Sequence, residues 1–538
     1  MPGSTRRPLS VTGLVAATAL ALAGVGGVAL PVAARDAATS AVAPPAPSRP
    51  ALAALDLETA TAVDLQQLMT SGGASSEQVV RAYLDRIALL NTDGPGLNAV
   101  RSLNPDVLAD ARARDRERRR GDVRGPLHGV PVLIKDNIDL AGSPTTAGSI
   151  ALEDSYPAGD APLVTALESA GAVVLGKTNL SEFANFTTSG MPSGYSSLGG
   201  QVLNPYDASV TPSGSSSGTG AGIAAGLAPM GIGTETSGSI LSPAQANSLA
   251  AVKPIVGLIS RTGVIPISAT QDTAGPMTTT VTDSALLLSA LVSVDPEDPA
   301  TAGAAPYVDV DYAAGLSTTS LEGARLGVVA SSNPLFTDAL AALEAEGATL
   351  VPVTVPNTSA PGILFDEFER DIDAYLARLP ESAPMDSLTD IVAFNEGRPE
   401  MKFGQTILVE SESRDLTDPA QLATYEANRD RGLAESRASI DGVLAANDLD
   451  AIVSLSGTTG VGARAGYPSV SVPAGYSAAN GRPSNVVFLG TAWSEATLLS
   501  LAYDYEQATL LRRPPSIVNP TLFQCLEPVR LREASCAP

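Results

Sequence analysis

The chain has 538 residues, 44% of them hydrophobic and 17% charged, which is ample for a large buried core and excludes an intrinsically disordered chain. Its net charge of −24 excludes the basic surface that nucleic-acid binding needs. The single histidine, His128, excludes a multi-histidine zinc site and leaves a Ser-His-Asp triad only one candidate base.

In chain order, the first segment reads as an export signal. Arg6 and Arg7 precede an uncharged stretch, Pro8 to Ala34, that ends in the small residues Val32-Ala33-Ala34. This predicts a signal peptide over 1–34 and a secreted protein. The Arg6-Arg7 pair fits a twin-arginine signal and export after folding. The alternative is a retained membrane anchor, since the stretch is long enough to span a bilayer; Gly24, Gly26, Gly27 and Pro31 speak against it. Residues 35–55 are rich in Ala and Pro and read as a leader, with the folded domain over 56–538.

Ser75-Ser76-Glu77-Gln78 resembles a capping box ahead of Val80, Tyr83, Leu84 and Ile87 at helical spacing. A second, Arg-rich helix is predicted over Asn104 to Arg120, stopped by Gly121. The apolar run Val130 to Ile134 predicts a buried strand ending at Lys135. Leu163 to Ala170 reads as a helix and Ala172 to Leu175 as a strand, an alternation that argues for an α/β fold. From Thr187 to Gly275 the chain is dense in Gly, Ser, Thr and Pro, with a helix-like run of small residues over Ala221 to Met230. Residues 300–450 carry helical patterns and few chemical signals. Beyond them Ala451 to Val453 and Val470 to Val472 read as strands, and Ser494 to Ala508 as a helix. Cys525 and Cys536, close together and even in number, predict one disulfide in an exported protein, the alternative being two free thiols.

Pro212 to Gly218 (PSGSSSG) taken alone looks like a flexible linker. Its apolar flanks instead suggest a tract that lets backbone approach a ligand closely. A phosphate loop is set aside because no Gly-Lys-Ser/Thr follows. Acyl transfer needs a nucleophile, a base and oxyanion donors. With His128 remote in sequence, a buried lysine is the other candidate base. Lysine is rare here (Lys135, Lys177, Lys253 and Lys402), and Lys135 ends a buried strand, where desolvation lowers its pKa. The bland alternative is a lysine snorkelling at a strand end.

Five ordered motifs carry a resemblance: Gly129–Asn137 (GVPVLIKDN), Gly214–Gly218 (GSSSG), Gly233–Ile240 (GTETSGSI), Ser268–Pro276 (SATQDTAGP) and Tyr467–Gly475 (YPSVSVPAG). Residues from about 62 to 515 resemble the amidase-signature enzymes, most closely over 125–277. The resemblance implies a single large α/β domain around a mixed, twisted sheet. It also implies a Ser-cisSer-Lys triad: Lys135 as base, Ser215 as the relay after a cis peptide bond, and Ser239 as nucleophile. The backbone N–H groups of Thr236, Ser237, Gly238 and Ser239 would form the oxyanion hole, without cofactor or metal, and His128 would be structural.

Departures from the family pattern are informative. Glu235 and Leu241 stand where an Asp and an Arg commonly bracket the nucleophile, so the usual ion pair is missing. Thr234-Glu-Thr236 with Gln271-Asp-Thr273 is most similar to the peptide-amidase branch, which removes C-terminal amides, although Ser237 replaces an Asp found there. The expected partner is a small-molecule or peptide amide, with no nucleic acid and no stable membrane association. Substrate-binding residues and oligomeric state are not indicated. The rival functions are an amidase for aryl or fatty amides, a tRNA-dependent transamidase subunit, and a non-catalytic binding protein.

Overall fold

Helix boundaries near the start of the chain follow from side-chain caps. A computed structural model of the chain describes residues 52–520; the export segment, most of the 35–55 leader and the Cys525–Cys536 pair lie outside the described residues. The helix Ser76–Ile87 opens with the expected box. Ser75 Oγ accepts from the Gln78 N–H at 3.2 Å, and Gln78 Oε1 accepts from the Ser75 N–H at 2.9 Å, satisfying orphan donors of the first turn. The Arg-rich helix is Val107–Arg120, three residues shorter than expected. Asn104 is drawn out of it because its Nδ2 donates to the Val174 carbonyl at 3.0 Å. It stops at Gly121, with φ +86°.

Eleven strands form one mixed sheet. In chain order the strands are β1 (Val100–Leu103), β2 (Pro131–Lys135), β3 (Val173–Thr178), a separate two-stranded ribbon of β4 (Tyr195–Ser196) and β5 (Gly200–Gln201), β6 (Met230–Glu235), β7 (Ala250–Lys253), β8 (Thr273–Thr278), β9 (Arg325–Val329), β10 (Thr349–Val353), β11 (Ala451–Ser454), β12 (Ser469–Tyr476) and β13 (Pro483–Leu489). The spatial order is β1-β3-β2-β6-β8-β7-β12-β13-β11-β9-β10. β3, β2 and β6 are mutually parallel, as are β11, β9 and β10, and the strands between are antiparallel. This is the single large α/β domain expected from the sequence. Central strands wrapped on both faces are uniformly apolar; Val132, Leu133 and Ile134 are fully buried, each contributing about 1.5–3 kcal/mol.

Two sequence readings change. The helix expected over Ala221–Met230 is Ser217–Ala224, and Met230 instead opens β6. Gly226, at φ +68°, ends that helix: the Leu227 N–H donates back to the Gly222 carbonyl at 2.8 Å, a C-terminal closure that a left-handed glycine permits. The region 300–450, read as helical, also supplies β9 and β10. Leu52 and Leu55, within the stretch read as leader, pack against the main core. Among the described residues no helix is long and apolar enough to cross a membrane.

Candidate active site

Lys135 ends β2, with β3 on one side and β6 on the other. It is fully buried. Its Nζ lies 2.8 Å from Ser215 Oγ, 2.9 Å from Thr234 Oγ1 and 3.3 Å from the Thr234 carbonyl. Asn137 Nδ2 also donates to Thr234 Oγ1, at 3.0 Å. Burial holds the Lys135 pKa down at about 7, against a weaker opposing pull from Asp272 and Glu235. Neither carboxylate is among its hydrogen-bond partners, so the cost of desolvating an ammonium here is not offset and the neutral amine is favoured.

Ser215 follows a cis Gly214–Ser215 peptide bond and is fully buried. Its carbonyl accepts from the Ser181 N–H at 3.1 Å. Ser216 clips the tract to β6: its Oγ donates to the Thr234 carbonyl at 3.1 Å and accepts from the Thr234 N–H at 3.2 Å. The helix that follows is pressed into backbone, and a Cβ on Gly218 would overlap the carbonyl oxygens of Ala99 and Asn179. The tract is therefore a packed element, and the linker reading fails.

Ser239 is brought alongside by the Ser216 N–H, which donates to the Ser239 carbonyl at 3.2 Å. The turn from Thr236 to Ser239 follows the C-terminal end of β6, with Ser237 exposed and Ser239 only 7% exposed. Gly238 adopts φ +84°, and Thr459 sits over it: a Cβ there would lie 3.3 Å from Thr459 Cγ2. Among the described residues the N–H groups of Thr236, Ser237, Gly238 and Ser239 find no backbone acceptor, leaving a cluster of donors free for an anion.

Side chains that the sequence marked only as motif members hold this turn. Glu235 Oε2 accepts from the N–H groups of Ile240 at 2.8 Å and Leu241 at 3.0 Å. The carboxylate thus clasps the residues after Ser239 without the missing arginine. Thr236 Oγ1 donates to Asp272 Oδ1 at 2.5 Å, and Gln271 Nε2 donates to the Thr236 carbonyl at 3.1 Å. Asp272 in turn accepts from the N–H groups of Ile267 and Ser268 at 2.7 and 2.8 Å; burial outweighs these bonds and pushes its carboxyl up to about 6. The 268–270 loop is pinned by Glu367, which accepts from both hydroxyls, Ser268 Oγ and Thr270 Oγ1, and from the Tyr425 hydroxyl at 2.6 Å. The region 300–450 therefore buttresses the site from behind.

The structure puts Lys135 against Ser215 and joins the turn of Thr236, Ser237, Gly238 and Ser239 to that tract through the Ser216–Ser239 backbone bond. It sets His128 at the opposite end of β2, where Nε2 meets the Arg114 carbonyl at 2.9 Å and burial lowers its pKa. Cys525 and Cys536 lie outside the described residues. Thr234, Asn137, Glu235 and Asp272 were legible only as members of motifs. Their signal is that polar side chains sit at or just beyond the ends of buried strands, where they must find partners.

The amidase family model matches residues 78–454. A probable amidase of Arabidopsis thaliana is 40% identical over 481 residues, covering 86% of this chain and 92% of that protein. A glutamyl-tRNA(Gln) amidotransferase chain of Pseudomonas syringae is 33% identical, covering 81% and 94%. Among solved structures, native peptide amidase from Stenotrophomonas maltophilia is 45% identical with a TM-score of 0.81, covering 85% of this chain and 98% of that one.

Proposed function

This chain belongs to the amidase family and hydrolyses amide C–N bonds, and from that premise we propose that it is a secreted serine amidase that removes the C-terminal amide of peptides. The observation that carries the peptide-amide reading is the likeness to peptide amidase across nearly the whole of that enzyme's chain. The net charge of −24 supports hydrolysis over action on a charged tRNA.

The contacts of Lys135 and Ser215 support the following roles. A neutral lysine has two N–H donors and one lone pair. The three contacts at Nζ can serve that set: in the neutral amine the two Thr234 oxygens take the N–H groups, which leaves the lone pair for the proton of the Ser215 hydroxyl. Lys135 accepts the Ser215 proton as Ser215 takes the proton of Ser239. Ser239 Oγ then attacks the amide carbonyl, and the free N–H groups of 236–239 stabilise the oxyanion. The protons return along the relay to the leaving nitrogen, which departs as ammonia. Water, activated by the same relay, attacks the acyl-enzyme and releases the acid.

Mass spectrometry of one amidated peptide tests the substrate. The expected result is amide-to-acid conversion at the C-terminus alone, with internal peptide bonds and the Asn and Gln side chains intact. Internal cleavage, or no reaction beside rapid turnover of an anilide or fatty amide, contradicts it.

A further inference from the structure

Three of the four lysines are buried. Lys135 serves the site just described. Lys177 is paired, its Nζ lying 2.9 Å from Thr145 Oγ1 and 3.3 Å from Asp136 Oδ1. Lys253 has no such assignment. It ends β7, is 1% exposed, and its Nζ makes no hydrogen bond. A buried ammonium without a direct partner is costly and is retained only where opposite charge faces it.

Two buried carboxylates do. Glu235 and Glu495 are each 1% exposed. Each uses one oxygen, Glu235 on the turn after Ser239 and Glu495 on the Ile255 N–H at 2.8 Å, and each leaves the other oxygen unpartnered. β6 and β7 are both antiparallel to β8, so Glu235 and Lys253 end their strands at the same edge of the sheet. The local packing agrees: a Cβ on Gly275 would lie 2.9 Å from Pro254 Cδ and 3.2 Å from Ile240 Cδ1. The residue after Lys253 and the residue after Ser239 thus both close on Gly275. The charged groups that act on one another here are Lys135 from β2, Glu235 from β6, Lys253 from β7, Asp272 before β8, and Glu495 at the start of the helix Glu495–Thr509. Burial lowers Lys253 to about 8, with Glu235 and Glu495 opposing.

We propose that Lys253 is a positioning residue, the countercharge that keeps Glu235 ionised beneath the 236–241 turn, in place of the arginine that Leu241 has displaced from the family pattern. This rests on the reading of that turn as the active site. An ionised Glu235 holds the Ile240 and Leu241 N–H groups with charge-assisted bonds; a protonated one holds them more weakly and loosens the oxyanion donors beside them.

The test is a double-mutant cycle with Lys253→Met, Glu235→Gln and both together, using an amide substrate and infrared difference spectra. Lys253→Met should lower kcat roughly 10–100-fold, no more than loss of an oxyanion donor costs, with KM within about threefold. Its spectrum should gain a protonated carboxylic acid that is absent in the double variant. Gln is neutral and still accepts the two N–H groups, so the double variant should be no slower than Lys253→Met alone. Lys253→Arg should recover most of the activity. If Lys253→Met does not accumulate folded, its tolerance in the Glu235→Gln background carries the same test. A wild-type kcat in Lys253→Met, or losses that multiply in the double variant, would overturn the pairing. The infrared readout needs no turnover, so it separates failure of the pair from failure of the site.

Discussion

Lys135 is the residue on which the proposed chemistry turns, and its setting fixes a pH dependence. The working form is the neutral amine, and burial brings the pKa to about 7. Activity should therefore rise through pH 7 to a plateau, and fall about tenfold per unit on the acid side. Lys135→Arg should lose roughly three orders of magnitude or more in kcat, because guanidinium cannot release its proton. A kcat/KM profile of the wild type and of that variant checks both. Flat activity from acid to alkaline pH, or an active arginine variant, contradicts the assignment. Lys135 was legible in the sequence because it terminates an apolar run in a lysine-poor chain. Thr234, which takes two of its three contacts, was not, because its partner on β2 is 99 residues away and only the fold joins them.

At the scale of elements, the Gly/Ser-rich stretch misleads when read by composition. Its glycines mark close packing: the helix Ser217–Ala224 lies against the 99 and 179 backbone through Gly218, and the next tract is the buried strand β6. Periodicity failed here because small residues buried on every side show neither a helical nor a strand alternation. Gly218→Ala should then cost about 1–3 kcal/mol by overpacking. Gly159→Ala, at an exposed site with nothing near the added methyl, should stay within about 0.5 kcal/mol. Urea unfolding midpoints of the two variants compare them directly; equal midpoints would mean that the contact at Gly218 relaxes freely.

Across the whole molecule, the half that carries the motifs was legible, and the half that supports them was not. Lys135, Ser215 and Ser239 come from three separate segments that β2, β6 and the helix between them bring to one place. The buttress behind them, from Glu367 through Ser268 and Thr270 to Asp272 and Thr236, joins side chains 36 to 99 residues apart and leaves no local pattern to read. β9 and β10 are short, and half-buried positions are mixed along them, so the helices around them dominated the pattern. The proposed working part of the molecule is thus one turn held from several directions, and the proposed function reduces to whether Ser239 carries the acyl group. Intact-mass analysis followed by peptide mapping, after reaction with a sulfonyl fluoride or a slowly deacylating substrate, tests this most directly. The result predicted is a single adduct on Ser239, lost in Ser239→Ala together with amide hydrolysis. An adduct on another residue, or full turnover in Ser239→Ala, would contradict it.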